Sequence, residues 1–330
     1  MTKKQYKIAF VGFRHGHIYS LYNKAAQHPS VQIVAACEED ATARAAVLPS
    51  VEITHTSWAD MLANVPCDIV AIGDYFGKRG QLAIDALAQG KHVILDKPIC
   101  TALTELDKME ALAAQHDRRI GCMLDLRTSP SFVCARQAIR DGLIGRVTQI
   151  QFGGQHPLLR KTRPGWYFEA GKHGGAINDI GIHGIDMLSF LTGESIKRIV
   201  AARTWQAFDV RSASFKDAAQ LMLELDSGCG VLGDVSYSAP DSQGYTLPTY
   251  WRFTVWGTRG LLEFNVIEPQ VKAYLDGEKG AKILTAPEDL GSDFLDSFLA
   301  DIQGTPVELN TAAVVAASRK TLEIQAFADK

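Results

Sequence analysis

Residues 8–18 read IAFVGFRHGHI, and this stretch decides how the N-terminal part of the chain folds. Its apolar run predicts a buried strand, Gly12 permits a tight turn, and a segment of helical spacing starts at Ile18. In that order, the first amides of the helix can hold a pyrophosphate. Gly12 fits the first glycine of the dinucleotide-binding fingerprint, whereas Arg14 and His17 occupy the positions of the other two. The alternative interpretation is an ordinary strand-to-helix turn.

The first third of the chain alternates short apolar runs with segments of helical spacing. This alternation predicts a doubly wound parallel sheet with helices on both faces, over residues 1–123. The predicted strands are Tyr6–Gly12, Val31–Cys37, Asp68–Gly73, His92–Leu95 and Arg119–Met123, and the predicted helices are Ile18–His28, Ala41–Val47, Trp58–Ala63, Arg79–Gln89 and Thr104–His116.

The pattern changes near residue 125, so we predict a second domain over residues 124–330. Short turns such as Asp226-Ser227-Gly228 join several of its strand-like runs, which is typical of a large, mainly antiparallel open sheet in an α+β domain. Thr311 is predicted to cap a closing helix, Ala312–Ala328. The other predicted elements are a helix at Ser131–Asp141 and strands at Val147–Gly153, Ile196–Thr204, Ala219–Leu225, Gly230–Tyr237, Arg252–Trp256, Leu261–Asn265 and Val271–Leu275.

Composition excludes several classes of function. The 330 residues carry a formal net charge of −3 with no dense basic block. This disfavours binding to nucleic acid or to an anionic membrane. The six cysteines form no Cys-x-x-Cys pair, so we expect free thiols and no zinc ribbon. No signal region precedes the first strand, and the expected location is the cytoplasm.

An acidic cluster, Cys37-Glu38-Glu39-Asp40, follows the second predicted strand, about 20 residues past the glycine turn. In dinucleotide sites an acid at this place binds the ribose hydroxyls. Glu38 is the predicted ribose ligand, and its two acidic neighbours would repel a 2′-phosphate, so NAD is favoured over NADP. The alternative is a solvated cluster at a helix start, with Asp40 as its cap.

Residues 90–98 read GKHVILDKP, and Lys97 lies at the carboxyl end of a predicted parallel strand. Ligands of such sheets bind outside these strand ends. A lysine fixed there by Pro98 is well placed to bond a substrate hydroxyl. A surface Lys-Pro turn is the alternative.

Residues 174–186 read GGAINDIGIHGID and contain a second group of polar side chains. In a helix, Asp179, His183 and Asp186 would share one face. Oxidation of an alcohol needs a group that removes the hydroxyl proton, and histidine titrates in the useful range. A core histidine with a carboxylate partner, or a metal site built from the same three side chains, are the alternatives. We predict no metal at this site.

These motifs together resemble the glucose–fructose oxidoreductase, inositol dehydrogenase and rhizopine-catabolism family (Gfo/Idh/MocA). The resemblance covers nearly the whole chain. It depends on the strand–glycine opening, on ALAQGKHV at residues 86–93 leading into Asp96-Lys97-Pro98, on DGLIG at 141–145, and on the block from Gly174 to His183. It implies a Rossmann domain, a C-terminal domain with an open sheet, and NAD(P)-dependent oxidation or reduction of sugars, inositols or related polyols. Family members often form homodimers or homotetramers through the outer sheet face.

The resemblance also assigns roles to residues. Lys97 would bond the reacting hydroxyl, Asp179 would bind substrate or orient the base, and His183 would accept the proton. The proline in the position of Pro98 is often cis in the family. The expected cofactor contacts are Gly12, Phe13, Arg14, His15, Glu38, Asp74 and Lys97, and the expected substrate contacts are Lys97, Arg127, His156, Trp166, Tyr167, Asp179 and His183.

Three features depart from the family pattern. Asp96 replaces the usual glutamate before the lysine, Arg14 and His17 replace loop glycines, and Arg79 stands where a histidine is common. A basic loop over residues 156–167 suggests an anionic sugar through Arg160, Lys161 or Arg163, with a solvated loop as the alternative. Two other functions remain open: redox-neutral, NAD-assisted elimination or epimerisation of a sugar, and a non-catalytic regulator that binds sugar or nucleotide.

Overall fold

A computed structural model describes residues 5–330 of the chain. The chain divides into two compact units. Two later segments belong to the same unit as the N-terminal part of the chain. The first unit runs to Met123 and includes Pro164–Gly174 and Phe294–Arg319, and the second comprises Leu124–Arg163, Gly175–Asp293 and Lys320–Lys330.

The sheet of the first unit is parallel throughout, with strand order β2-β1-β3-β4-β5. The predicted Rossmann-like sheet is confirmed. Its strands are short and buried on both faces, because helices cover both faces of a doubly wound sheet. The strands are β1 (Tyr6–Val11), β2 (Val31–Cys37), β3 (Ile69–Ile72), β4 (His92–Leu95) and β5 (Ile120–Cys122).

In the first unit, helices follow the strands along the chain. Asp40 caps α2, accepting a hydrogen bond of 2.8 Å from the Ala43 amide, which is the role that the alternative interpretation of the acidic cluster gave it. The helices of the chain are α1 (Ile18–Gln27), α2 (Ala41–Ala45), α3 (Trp58–Asn64), α4 (Phe76–Ala88), α5 (Leu103–His116), α6 (Pro130–Arg140), α7 (Ile182–Thr192), α8 (Phe294–Ile302) and α9 (Thr311–Ala328).

The second unit is built on an eight-stranded sheet of order β13-β12-β11-β10-β6-β9-β8-β7. Neighbouring strands are antiparallel except β6 and β9, which pair in parallel. The prediction of a mainly antiparallel sheet is therefore confirmed. Its strands are β6 (Val147–Pro157), β7 (Ile196–Trp205), β8 (Ala218–Leu225), β9 (Gly230–Ala239), β10 (Arg252–Gly257), β11 (Gly260–Asn265), β12 (Gln270–Leu275) and β13 (Lys282–Thr285).

Helix α6 packs on β11 and β12, and α7 packs on β6. Phe132 of α6 meets Phe264 and Phe253 edge-on at ring-centroid distances of 5.1 and 5.2 Å. Edge-to-face pairs of this kind add stability beyond the apolar area that they bury. This aromatic cluster packs helix α6 against the large sheet of the second unit.

The sequence placed one helix cap wrongly. Thr311 was predicted to cap the last helix, but the Asn310 side chain accepts the hydrogen bond from the Ala313 amide, at 3.0 Å. The Thr311 hydroxyl instead donates to Asp301 and accepts from the Ile120 amide. The helix start is one residue earlier as a result. Among residues 5–330, no helix is both long and apolar enough to cross a bilayer.

Candidate active site

The glycine turn lies at the carboxyl end of β1. Gly12 has a φ of +79°, and a Cβ there would lie 2.6 Å from the backbone nitrogen of Asp74. Both the left-handed backbone and the close approach of the two chains therefore require glycine. The turn brings the loop after β1 against the residue that follows β3.

Glu38 lies at the end of β2 and is buried. One oxygen of its carboxylate accepts a hydrogen bond from the Phe13 amide at 2.7 Å, and the other accepts from the Asp40 amide at 3.0 Å. The predicted ribose ligand is thus held beside the glycine turn by backbone donors. A fixed carboxylate at this place offers acceptors for vicinal hydroxyls.

Arg14 lies among the acids at these strand ends. Its guanidinium is 3.2 Å from Asp74, 3.6 Å from Glu38 and 3.7 Å from Asp40, and it lies over the Tyr75 ring. Within residues 5–330 its buried Nε has no hydrogen-bond acceptor of suitable geometry. These carboxylates hold the guanidinium beside the glycine turn, and its planar fork of donors is the kind of group that binds a pyrophosphate.

Lys97 follows β4 and is 4% exposed. The peptide bond between Lys97 and Pro98 is cis, as the resemblance implied. The lysine ammonium lies 6.0 Å from the centre of the Phe76 ring. Lys97, the glycine turn and Glu38 all belong to the first unit, at the carboxyl ends of its strands, where ligands of parallel sheets bind.

The residue before Lys97 is the centre of a buried polar network. Asp96 is fully buried, and its carboxylate contacts His15 Nδ1, His17 Nδ1 at 3.2 Å and Arg79 Nη2 at 2.8 Å. Burial alone would raise the pKa of Asp96, but chiefly Arg79, with the two histidines, holds it well below its usual value. Asp96 is therefore an ionised carboxylate.

His15, His17 and Asp96 together place three potential metal ligand atoms within 4.8 Å of one another. Arg79 already shares the Asp96 carboxylate, and a guanidinium is always charged. A divalent cation there would face that fixed positive charge. We interpret this cluster as an ion-pair and hydrogen-bond network.

His15 has an unusual protonation equilibrium. Burial lowers the pKa of His15 to about 4, although the charge of Asp96 opposes that shift. The ring is neutral at neutral pH, and its Nδ1 proton is donated to Asp96. Its surroundings are aromatic, with the Phe76 ring centre at 5.2 Å and that of Trp166 at 6.3 Å.

This lowered pKa predicts a loss of stability in mild acid. In the unfolded chain His15 binds a proton near its usual pKa of about 6.5, so between pH 6.5 and 4 the unfolded state binds more protons than the folded state. From pH 7 to pH 5 His15 alone should lower the free energy of unfolding by about 2 kcal/mol. Urea titrations at the two pH values measure this difference.

The variant His15→Gln should lose that part of the pH dependence. The matched control is His116→Gln, which removes a histidine from the last turn of α5 and should keep the wild-type dependence. Equal pH dependence in His15→Gln and wild type would contradict the assignment of a neutral, buried His15.

Trp166 and Tyr167 also belong to the first unit. Both are buried, and their ring centres lie 4.9 and 5.6 Å from that of Phe76. The Trp166 indole donates to the carbonyl of Arg14 at 3.2 Å. The structure therefore places these predicted substrate residues against the glycine loop and the start of α4.

The second unit carries the other group of predicted residues. Asp179 lies in a π-helical turn, Ile177–Gly181, that leads directly into α7. Such turns are often found at functional sites. The side chain of Gln325 accepts hydrogen bonds from the Ile177 and Asn178 amides at 3.1 and 3.2 Å, which fixes the start of this turn.

A hydroxyl outside the quoted motifs contacts Asp179. Tyr237, near the end of β9, donates its phenolic proton to the Asp179 carboxylate, and both side chains are buried. Hydrogen bonds to an ionised acceptor are shorter and stronger than neutral ones. This bond fixes the orientation of the Asp179 carboxylate.

His183 lies in the first turn of α7 and is 6% exposed. Its Nδ1 is 3.8 Å from a carboxylate oxygen of Asp125, and its ring centre is 5.5 Å from that of Trp251. Asp125 is exposed and can balance charge on the imidazole when the ring takes up a proton. His183 thus lies beside an acid and against an aromatic wall.

His156 stands among the same aromatic residues. Its ring centre is 4.8 Å from that of Tyr250, 5.7 Å from Trp251 and 6.3 Å from Tyr237. Burial raises the pKa of Tyr250, so the phenol stays protonated and can donate a hydrogen bond. Aromatic faces with hydroxyl and imidazole groups suit the alternating apolar and polar faces of a sugar ring.

Several basic side chains have structural partners. Arg127 binds both oxygens of Asp186, at 2.6 and 2.9 Å. Arg160 pairs with Asp209, and Arg163 donates to the carbonyls of Leu158 and Pro157, each at 2.9 Å. Lys161 is exposed. These contacts shape the loop after β6.

The structure thus groups the predicted residues into two sets. Those in the first unit are Gly12, Phe13, Arg14, His15, Glu38, Asp74, Lys97, Trp166 and Tyr167, and those in the second unit are Arg127, His156, Asp179 and His183. Sequence reasoning missed Tyr237, Trp251 and Asp125, which contact the second set. The only local signal for Tyr237 was its place at the end of a predicted strand.

Comparison with known proteins agrees with this architecture. The family model for the NAD-binding Rossmann fold of the GFO/IDH/MocA oxidoreductases matches residues 6–123, and the model for the GFO/IDH/MocA C-terminal domain matches residues 132–263. The chain therefore has the two domains that define a class of NAD-binding oxidoreductases. It belongs to the Gfo/Idh/MocA family.

Individual relatives are distant. Levoglucosan dehydrogenase of Pseudarthrobacter phenanthrenivorans is 27% identical over 207 residues, which is 59% of this chain and about half, 52%, of the relative. A putative oxidoreductase from Erwinia carotovora atroseptica has a similar structure, with a TM-score of 0.87 and 25% identity over 98% of this chain and 99% of that one. An inositol dehydrogenase homolog from Azotobacter vinelandii, complexed with NADH and myo-inositol, has a TM-score of 0.79 and 19% identity over 99% and 96% of the chains.

The residues of the first unit fit the cofactor that the family implies. Gly12 allows the close turn, Glu38 offers carboxylate acceptors for the ribose, and Arg14 places a guanidinium among the acids at the same loop. The altered glycine loop therefore keeps the donor and acceptor types that NAD requires, with a guanidinium where the fingerprint has its second glycine.

Proposed function

We propose that this protein transfers hydride between NAD and a secondary alcohol of a sugar, inositol or related polyol. The observation that carries the proposal is the buried ammonium of Lys97 at the end of β4, in the same unit as Gly12 and Glu38. A buried cation beside a dinucleotide loop favours chemistry on an oxygen that gains negative charge.

Each residue has a role that follows from its chemistry. Lys97 donates a hydrogen bond to the reacting oxygen and stabilises the alkoxide character that develops as its proton leaves. His183 accepts that proton, and Asp125 stabilises the imidazolium that forms. Asp179, oriented by Tyr237, accepts a hydrogen bond from a neighbouring substrate hydroxyl. Bound NAD supplies the hydride acceptor.

The substrate class is supported by the second unit and by the relatives. His156, Tyr250 and Trp251 offer aromatic faces and polar groups to a hydroxylated ring. The relatives include a levoglucosan dehydrogenase and a myo-inositol 2-dehydrogenase. A neutral cyclic polyol is favoured over an anionic sugar, because Arg160 and Arg163 already pair within the protein.

A polyol panel tests the proposal. Wild type is incubated with NAD and with inositols, anhydrosugars, aldoses and uronic acids, and NADH formation is followed by absorbance. We expect NADH with at least one neutral cyclic polyol. Tight NADH binding without turnover on any polyol would contradict the proposal and favour a non-catalytic binding protein.

Glu38 should determine nucleotide affinity. The variant Glu38→Gln loses the negative charge of the carboxylate that is proposed to accept hydrogen bonds from the ribose hydroxyls. We expect it to bind NADH about tenfold to a hundredfold more weakly, because hydrogen bonds to charged groups contribute about 1.5–3 kcal/mol. Fluorescence titration with NADH and NADPH measures both affinities. Wild type should prefer NADH. Glu278→Gln, on the surface of the second unit, is the matched control and should bind like wild type. Unchanged NADH affinity in Glu38→Gln would remove Glu38 from the site.

We further propose a homodimer or homotetramer. On the face of the large sheet that exposes side chains, Met222 and Leu232 are 48% and 45% accessible and directly paired. Adjacent exposed apolar residues on a broad sheet are typical of an interaction surface. Light scattering measures the mass in solution, and a monomer would contradict this assembly.

A further inference from the structure

Arg79 makes an unusual set of contacts. It lies in α4, is fully buried, and donates from Nη1 to the carbonyls of three consecutive residues, Asp96 at 3.0 Å, Lys97 at 2.6 Å and Pro98 at 3.1 Å. Its Nη2 binds the Asp96 carboxylate at 2.8 Å, and its Nε donates to the Asp74 carbonyl at 2.7 Å.

These contacts hold the turn that presents Lys97. The carbonyls of residues 96–98 follow the last paired residue of β4, Leu95, so Arg79 supplies their donors in place of a neighbouring strand. Because the guanidinium is planar and carries its donors in a fixed fork, it can satisfy several backbone oxygens in one geometry. An ammonium has the same charge but lacks that fork.

The same network reaches the glycine loop. Asp96 binds His15, which lies three residues after Gly12, and Asp74 binds both Arg79 and Arg14. The Arg79 guanidinium and the Asp96 carboxylate therefore join three segments: the backbone after β3, the turn after β4 and the loop after β1. A shift of Arg79 would be transmitted to Lys97 directly, through the carbonyl of Lys97 itself.

We propose that Arg79 is a positioning residue for Lys97: it sets the backbone of the Asp96–Pro98 turn, and the link from Asp96 to His15 fixes that turn to the glycine loop. The inference rests on the proposed function, because it gives Lys97 a substrate oxygen to bind. Arg79 itself is buried away from solvent and acts through the turn.

The test compares Arg79→Lys with wild type and with Arg118→Lys. Arg118 is a matched control, because its Nε also caps a backbone carbonyl, that of Gly90, beyond the opposite end of β4. The first readout needs no substrate or cofactor. An amine-acylating reagent is applied to the folded proteins, and mass spectrometry gives the rate of modification of Lys97 relative to exposed Lys282.

We expect Lys97 to react at least about tenfold faster in Arg79→Lys, because a released turn exposes its ammonium. In Arg118→Lys the modification rate of Lys97 should equal that of wild type.

The second readout is kinetic. With the polyol that the panel selects, kcat of Arg79→Lys should fall about a hundredfold while NADH affinity stays within about threefold, since a displacement near 1 Å costs about that much.

Partial return of kcat when guanidinium ion is added to Arg79→Ala would support positioning by the guanidinium. An unchanged Lys97 modification rate in folded Arg79→Lys overturns the proposal, as does a parallel loss of kcat, NADH affinity and thermal stability. Faster modification of Lys97 in a protein that turns over no polyol supports the positioning role and contradicts the proposed function instead.

Discussion

Replacement of Lys97 by alanine should lower kcat about a thousandfold, within the range for loss of a group that stabilises a developing oxyanion or assists proton transfer. Lys97 is 4% exposed, so its charge acts where water screens it little. The NADH dissociation constant should change by less than about threefold, since the donors and acceptors around Gly12 and Glu38 remain. Initial rates at saturating polyol and NAD, with a fluorescence titration of NADH, measure both quantities.

The matched control is Lys91→Ala. Lys91 stands just before β4, and its ammonium donates to the Cys67 carbonyl at 2.9 Å, away from the strand ends that carry the site. It should keep wild-type kcat. If Lys97→Ala turned over substrate at the wild-type rate, Lys97 would have no part in the chemistry.

Replacement of His183 by asparagine should lower kcat by about 10²- to 10⁴-fold, the usual contribution of a general acid or base. The imidazole must be neutral to accept the hydroxyl proton, so wild-type kcat for oxidation should fall as the pH drops through the histidine pKa. In the variant this acidic limb should be lost along with most of the activity. A profile of kcat against pH for both proteins measures this.

His116→Asn, which removes a histidine from the last turn of α5 in the first unit, is the control and should keep the wild-type profile. Asp125→Asn should keep activity but move the acidic limb to lower pH, because Asp125 lies 3.8 Å from His183 and favours its protonated form. A full acidic limb in His183→Asn would assign the base to another residue.

Most strands could be predicted because burial leaves a direct pattern. The five strands of the first unit were found within about a residue or two of their ends, since parallel strands buried on both faces are continuous apolar runs. Strand β13 was missed because its side chains are mostly exposed. Helix α8 was also missed, although its buried Phe294, Leu295, Phe298 and Leu299 have helical spacing that indicated it.

Candidate site residues could be named from the sequence where a short motif contains a side chain of suitable chemistry. Lys97, Asp179 and His183 could be named because short motifs surround them. The partners Tyr237 and Asp125 are far from those motifs in sequence, and only the sheet and helix packing bring them close. The roles of these residues remain predictions that the variants test.

The departures from the family pattern have a shared structural explanation. Asp96, Arg79 and His17 each seemed a separate change in the sequence, in the lysine motif, in the segment after β3 and in the glycine loop. In the structure Arg79 and His17 both contact the Asp96 carboxylate. A single sequence cannot reveal such coupling, because nothing local in it relates residue 17 to residues 79 and 96.

The most direct test of hydride transfer between a polyol carbon and NAD is an isotope experiment. The polyol that the panel selects is prepared with deuterium on the carbon that is oxidised, and wild type is incubated with it and NAD. The NADH formed is then analysed by mass spectrometry. We expect NADH to carry the deuterium on its nicotinamide ring. NADH without deuterium, or oxidised polyol without NADH, would contradict hydride transfer.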